Sequence, residues 1–281
     1  MCTFYCSQCG KINVYAKRRG TQEWTDKMAD LFCVKLGETM RGTFAEHVKQ
    51  YAYGEALLVL PNRFLLQSEQ QKGTVRAVNM DYLPNEILRA NRRDRFEMLS
   101  RRSQEIIVKK LIDDKKKAGQ LKYLLNIADA DSFAKIVTGF IGELSRAGTT
   151  AEEFAEAVSA WERKNGYGLK DEEIASIYTD YRKVLKKNNW YDIDGLYRLA
   201  TIELQKAGSI IPWQALFFSD FYQFDHLQLD LIAAIKDRCT VSIGIVGDMK
   251  NDELYGATLN TIGDLLGCGF ALHKVSDLTD R

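Results

Sequence analysis

The chain has 281 residues, 46% of them hydrophobic, with 39 Lys and Arg against 38 Asp and Glu. That balance is ordinary for a globular protein and excludes a disordered, collagenous or coiled-coil chain, while a formal net charge of +1 leaves any polyanion partner to local charge asymmetry. No apolar run approaches the roughly 20 residues of a membrane helix, and the N-terminus lacks the basic-then-apolar order of a secretory signal, so the expected location is the cytoplasm.

The chain opens with Cys2, Cys6 and Cys9, followed by Gly10. Thiols at this spacing suit an iron–sulfur loop or one knuckle of a zinc ribbon, and these three are the candidate metal ligands. A ribbon needs a second pair, yet Cys33, Cys239 and Cys268 are single. The bland alternative is a disordered segment over residues 1–29 with reduced thiols.

A possible strand at 31–34 leads into Leu-Gly-Glu-Thr-Met-Arg-Gly-Thr-Phe. Gly37 and Gly42 have the separation of the glycines in G-x-x-x-x-G-K-[ST], where loop amides cradle phosphates and the Lys reaches the outer ones. Thr43 stands at the Lys position and Phe44 at the hydroxyl position, so both the ammonium and a magnesium ligand are missing.

Apolar runs at 56–60, 74–79, 215–219 and 240–246 end in polar or turn residues and predict strands covered on both faces, as in a parallel sheet. Between the second and third lie helical patterns. Phe133, Ile136, Val137, Phe140, Ile141 and Leu144 share one helix face, as do Ile174, Ile177, Tyr178, Tyr181, Val184 and Leu185. Thr149 with Glu152 and Thr150 with Glu153 both fit a capping box ahead of the next helix. The organisation expected is an α/β sheet domain over 30–88 and 205–281, interrupted by an all-helical insertion over 89–204. Residues 89–122 carry twelve basic against five acidic residues, enough to neutralise several phosphates or to form a solvated helix face. Trp24, Trp161, Trp190 and Trp213 read as core or cap residues.

Several segments in order resemble one family. Leu57-Leu58-Val59-Leu60-Pro61-Asn62-Arg63 followed by Gln67 and Glu69 looks like the strand-to-loop segment after the phosphate loop in UvrD-type superfamily I helicases, and most of all like the N-terminal region of the AddB subunit of helicase/nucleases. Residues 75–83 resemble the segment that approaches single-stranded DNA in that family. Asp192-Ile193-Asp194-Gly195-Leu196 is similar to its Asp-Phe-Asp-Asp-Leu stretch, and Val246-Gly247-Asp248 to its Val-Gly-Asp segment, with Asn251 where a Gln would stand. In Phe217-Phe218-Ser219-Asp220, counting back from Gln228 puts Ser219 in the magnesium-binding Asp place; a slip of one restores Asp220.

The resemblance implies a RecA-like, P-loop NTPase-type domain, with ATP and magnesium as the family's cofactors and degenerate nucleotide positions at Gly37, Gly42, Thr43, Asp220, Gln228 and Asp248. It implies that Asn62, Arg63 and Asp81 face single-stranded DNA, and that Arg92, Arg93, Lys116 and Lys117 contact duplex phosphates. The implied partners are a single-strand/duplex DNA junction and an AddA-like subunit with the active motor, in double-strand-break repair and recombination. This chain is expected to have no ATPase or nuclease activity of its own. Two alternatives stay open: a working nucleotide hydrolase in which Lys35 or Arg41 replaces the missing lysine, and an adaptor built on the Cys2/Cys6/Cys9 knuckle.

Overall fold

The structure is a computed structural model and describes residues 29–93, 95–165, 168–248 and 251–273. The elements follow in order as β1 (Ala29–Val34), α1 (Arg41–Val48), β2 (Ala56–Leu60), α2 (Arg63–Lys72), β3 (Ala77–Asn79) and α3 (Tyr82–Ala90). Next come β4 (Glu97–Met98), α4 (Arg101–Lys117), a turn of 3-10 helix at Leu125–Ile127, α5 (Asp131–Arg146), α6 (Ala151–Asn165), α7 (Leu169–Asn188) and β5 (Trp190–Tyr191). The chain closes with α8 (Ile193–Leu204), β6 (Ala215–Phe221), α9 (His226–Lys236), β7 (Thr240–Val246), α10 (Asp252–Gly267) and β8 (Ala271–His273).

Six strands form one parallel sheet in the order β3-β2-β6-β7-β1-β8, consistent with a RecA-like α/β fold. The strands read as continuous apolar runs because both faces are covered. Leu57 and Val59 point into the core shared with α3, α8, α9 and α10, while Ala56, Leu58 and Leu60 point into the core under α1 and α2. On β7, Gly244 lets α1 approach: a Cβ there would lie 2.8 Å from Met40 Cγ.

Helices α4 to α7 pack around a separate core that includes Val108, Ile112, Val137, Ile141, Ile177, Tyr178 and Tyr181. Its anchor is Glu173, a buried carboxylate that accepts hydrogen bonds from the backbone N–H of Lys122 (2.6 Å), Tyr123 (2.9 Å) and Leu124 (2.9 Å). The segment is not wholly helical. At its base β4 and β5 pair in parallel, Glu97 with Trp190 and Met98 with Tyr191, where two residues are too few to leave a periodic signal. Helix α8, inside the stretch expected as insertion, packs into the sheet core through Leu196 and Leu204, beside Leu83 and Ile87 of α3. β8 was not expected, since Ala-Leu-His is short and half polar. Of the two capping boxes, Thr150 and Glu153 form the pair: Thr150 N–H donates to Glu153 Oε2 and Glu153 N–H to Thr150 Oγ1.

Candidate functional site

Ligands of open α/β sheets bind beyond the carboxyl ends of the strands. Here that edge has two halves. The first spans the ends of β1, β7 and β6. Gly37 turns the chain at φ +90° after β1, and α1 begins at Arg41. On the far side, β6 carries a bulge: Phe218 pairs with Ile243 and Phe221 with Ile245, so three steps on β6 match two on β7. Asp220 sits in the bulge at φ +64°, a left-handed conformation that Asp tolerates better than most residues. The extra residue of the bulge falls at Ser219 and Asp220, the two positions between which the sequence motif leaves the choice open.

Arg41 Nε bridges this half, 3.2 Å from Asp220 Oδ2 and 3.7 Å from Glu69 Oε1. The Glu69 side chain is only 3% exposed and also takes Lys72 Nζ at 2.7 Å. Ser219 Oγ lies 3.0 Å from Asp220 Oδ2. Phe44 is fully buried against Phe32 and Phe217. These residues do not fit ATP and magnesium: the lysine position holds Thr43, the hydroxyl position holds a core phenylalanine, and the acid at the end of β6 is neutralised by an arginine. Gly42 lies within α1, and Asp248 is exposed just past β7, where its charge and, more strongly, burial push the Cys33 thiol up.

The second half spans the ends of β2, β3 and β6 and is an open cleft of about 240 Å³ lined by Pro61, Asn79, Met80, Asp81, Phe221, Gln223 and Gln228. Asp81 accepts a hydrogen bond from the Tyr197 hydroxyl at 3.0 Å. Asp225 and Gln228 form a capping box on α9, with Gln228 N–H donating to Asp225 Oδ1 at 2.9 Å. Asn62 caps α2 by accepting from Leu65 N–H at 3.0 Å, which leaves Arg63 exposed at the mouth of the helix. Tyr222 (53% exposed) follows the end of β6 directly, and Phe64 (78% exposed) lies in the first turn of α2, four residues past the end of β2. The sequence reading passed over these two aromatics, Asn79 and Gln223; their position just past strand ends was the available signal.

Carboxylates crowd behind this cleft. Asp194 is pushed up to about 7, first by burial, then by Asp192 and Asp225, against the opposing charges of Arg146 and Arg182. Burial also raises Asp225, with Asp81 adding to it.

The basic stretch is partly spent on internal pairs. Lys115 is buried between Asp180 (2.6 Å) and Ser176 (2.7 Å), Lys116 meets Asp129 at 2.5 Å, and Arg93 Nε lies 3.4 Å from Glu203. Arg101 and Arg102 lie 3.8 and 3.7 Å from Glu105. Arg92, Lys110, Lys117 and Lys122 are exposed and meet no carboxylate among the described residues. Cys2, Cys6 and Cys9 lie outside the described residues. Among those described, no three His, Cys, Asp or Glu are placed to hold a metal ion, and no helix is long and apolar enough to cross a membrane.

A family model described as "ADDB, N-terminal" matches residues 44–266. The chain belongs to the AddB N-terminal family. The match in this AddB-type chain runs from Phe44 in α1 into α10, so it takes in the whole open cleft and the helical body but begins after Gly37, Gly42 and Thr43. Among curated proteins, no match to the chain is found.

Proposed function

We propose that this chain is the DNA-binding, helicase-like portion of an AddB-type subunit, acting in the cytoplasm within an ATP-dependent helicase/nuclease at double-strand breaks. In this reading it holds a single-strand/duplex junction on a UvrD-type, RecA-like scaffold, and an AddA-type subunit supplies the active motor. The observation that carries the reading is the contrast along one sheet edge: the half that would take nucleotide is bridged by Arg41, and the half beside it is open.

The chemistry of the open cleft favours bases over phosphates. Asp81 repels a phosphodiester but accepts from base amino groups, as the amides of Asn79, Gln223 and Gln228 can do with either sense of hydrogen bond. Phe64 and Tyr222 supply exposed ring faces for stacking, and Arg63 supplies the backbone charge. A working hydrolase with Arg41 in the lysine role is disfavoured because that guanidinium is already engaged by Asp220 and Glu69.

Fluorescence anisotropy of a labelled junction tests the reading. Salt-sensitive binding is expected, weakened about tenfold in the double variant Arg63→Glu/Tyr222→Ala by loss of one phosphate contact and one stacked base. Binding that is absent at low salt, or unchanged in that variant, contradicts it.

A further inference from the structure

A second pocket, of about 360 Å³, lies where the helical body meets α8, and its lining includes Glu152, Arg182, Lys186, Trp190, Asp192 and Arg198. Its volume falls in the range of about 300–1,000 Å³ usual for small-molecule sites. Three cations from two elements converge on it: Arg182 and Lys186 from α7, and Arg198 from α8.

These cations have hydrogen-bonding capacity left. A guanidinium carries five N–H donors. Among the described residues, Arg182 engages only its Nη1, on Asp192 Oδ1 (3.3 Å) and Oδ2 (3.2 Å). Arg198, among the same residues, engages only its Nη2, on the Ser145 carbonyl at 3.0 Å. Both anchoring contacts reach across the joint and fix the planes of the guanidinium groups. Lys186 is exposed and meets no carboxylate among the described residues. Two acids also line the pocket, Glu152 and Asp192, so the cations exceed the acids by one, and Asp192 is already occupied by Arg182, Tyr181 and the Gly195 amide.

The lining is also aromatic. Trp190 is held in place by its indole N–H, which donates to Glu97 Oε2 at 2.9 Å, and Tyr191 follows it in β5. A fixed indole beside guanidinium forks suits a ligand that combines a planar ring with a phosphate, since arginine takes phosphate in bidentate fashion. A bare anion would leave the ring wall unused. A purely apolar ligand would leave the donors unmet.

We infer that this pocket is a nucleotide site, with the phosphate held by Arg182, Lys186 and Arg198 and the base laid against Trp190. It is separate from the open cleft and does not depend on the DNA reading of that cleft. The same chemistry is offered by a free nucleotide and by the phosphorylated end of a nucleic-acid strand.

Isothermal titration of the whole chain at low salt separates the sources, using deoxyadenosine monophosphate, inorganic phosphate and a short end-phosphorylated single strand. The monophosphate is expected to bind more tightly than inorganic phosphate. In Lys186→Glu, whose side chain makes no internal contact, affinity should fall about tenfold or more with Tm unchanged. Arg63→Glu, which breaks the open cleft, should leave it unaltered. Strand binding that Lys186→Glu weakens, without binding of the monophosphate, assigns the site to strand ends; binding of the monophosphate without such strand binding assigns it to free nucleotide. No heat from either, equal affinity for inorganic phosphate, or indifference to Lys186→Glu would overturn the inference.

Discussion

The two halves of the carboxyl edge treat their carboxylates in opposite ways. Over β1, β7 and β6, Asp220 and Glu69 are offset by Arg41 and Lys72, and the space is bridged. Over β2, β3 and β6, Asp81 lines an open cleft backed by Asp194 and Asp225, with Arg146 as the cation that opposes both of the latter. Buried acids that crowd around few cations are held at a cost to stability, so the second half stores strain that the first has relieved. Strain of this kind is more often found where a ligand binds than where only packing is at stake.

The largest expected effect comes from breaking the crowded half. Asp194 is raised in the folded state above its unfolded value. Its contribution is therefore fully present below about pH 4 and lost as pH rises through about 7, up to about 4 kcal/mol. Asp194→Asn should remove that loss, so that the variant gains on wild type between pH 4 and pH 8 in urea titrations, by about that amount at most. Parallel pH profiles for the two proteins would show that the acids behind the cleft are not crowded.

Next in size is the bridged half. Arg41→Met should cost about 2 kcal/mol, the value of a charge-assisted hydrogen bond whose partner is left partly buried. If Arg41 acts through Asp220, the double variant with Asp220→Asn should cost less than the sum of the two singles. Strict additivity would mean that the two side chains are not coupled.

The smallest effects belong to the basic stretch. Because Arg93 and Lys116 already have partners at 3.4 and 2.5 Å, reversal of Arg92 and Lys117 should account for most of the change in salt dependence, about one unit of slope per lost phosphate contact. An equal or larger change from Arg93 and Lys116 would show that their internal pairs open on DNA.

Most of the sheet was legible because parallel strands covered on both faces leave unbroken apolar runs, and β2 and β7 begin and end where those runs do. The helical body was legible from the periodicity of α5 and α7, although Ile136 on the predicted face of α5 is exposed. Of the strands below four residues, β3 fell within the expected run at 74–79, whereas β4, β5 and β8 left no signal. The candidate site was less legible for a different reason. Arg41 was read as a stand-in for a missing lysine because Asp220 and Glu69 lie far away in sequence and approach it only through the fold. Likewise, Asp194 and Asp225 sit in separate helices, and nothing local announces that they share a field. Trp190, expected as a core or cap residue, does pack partly buried against the core of the helical body, and its second place, in the lining of a cation-rich pocket, left no signal in the sequence.

The most direct test of the account is the affinity of the whole chain for a labelled single-strand/duplex junction, measured with and without magnesium ATP. The account predicts salt-sensitive binding that nucleotide at the millimolar level leaves unchanged. Binding that requires ATP, or a junction that fails to bind at low salt, would contradict it.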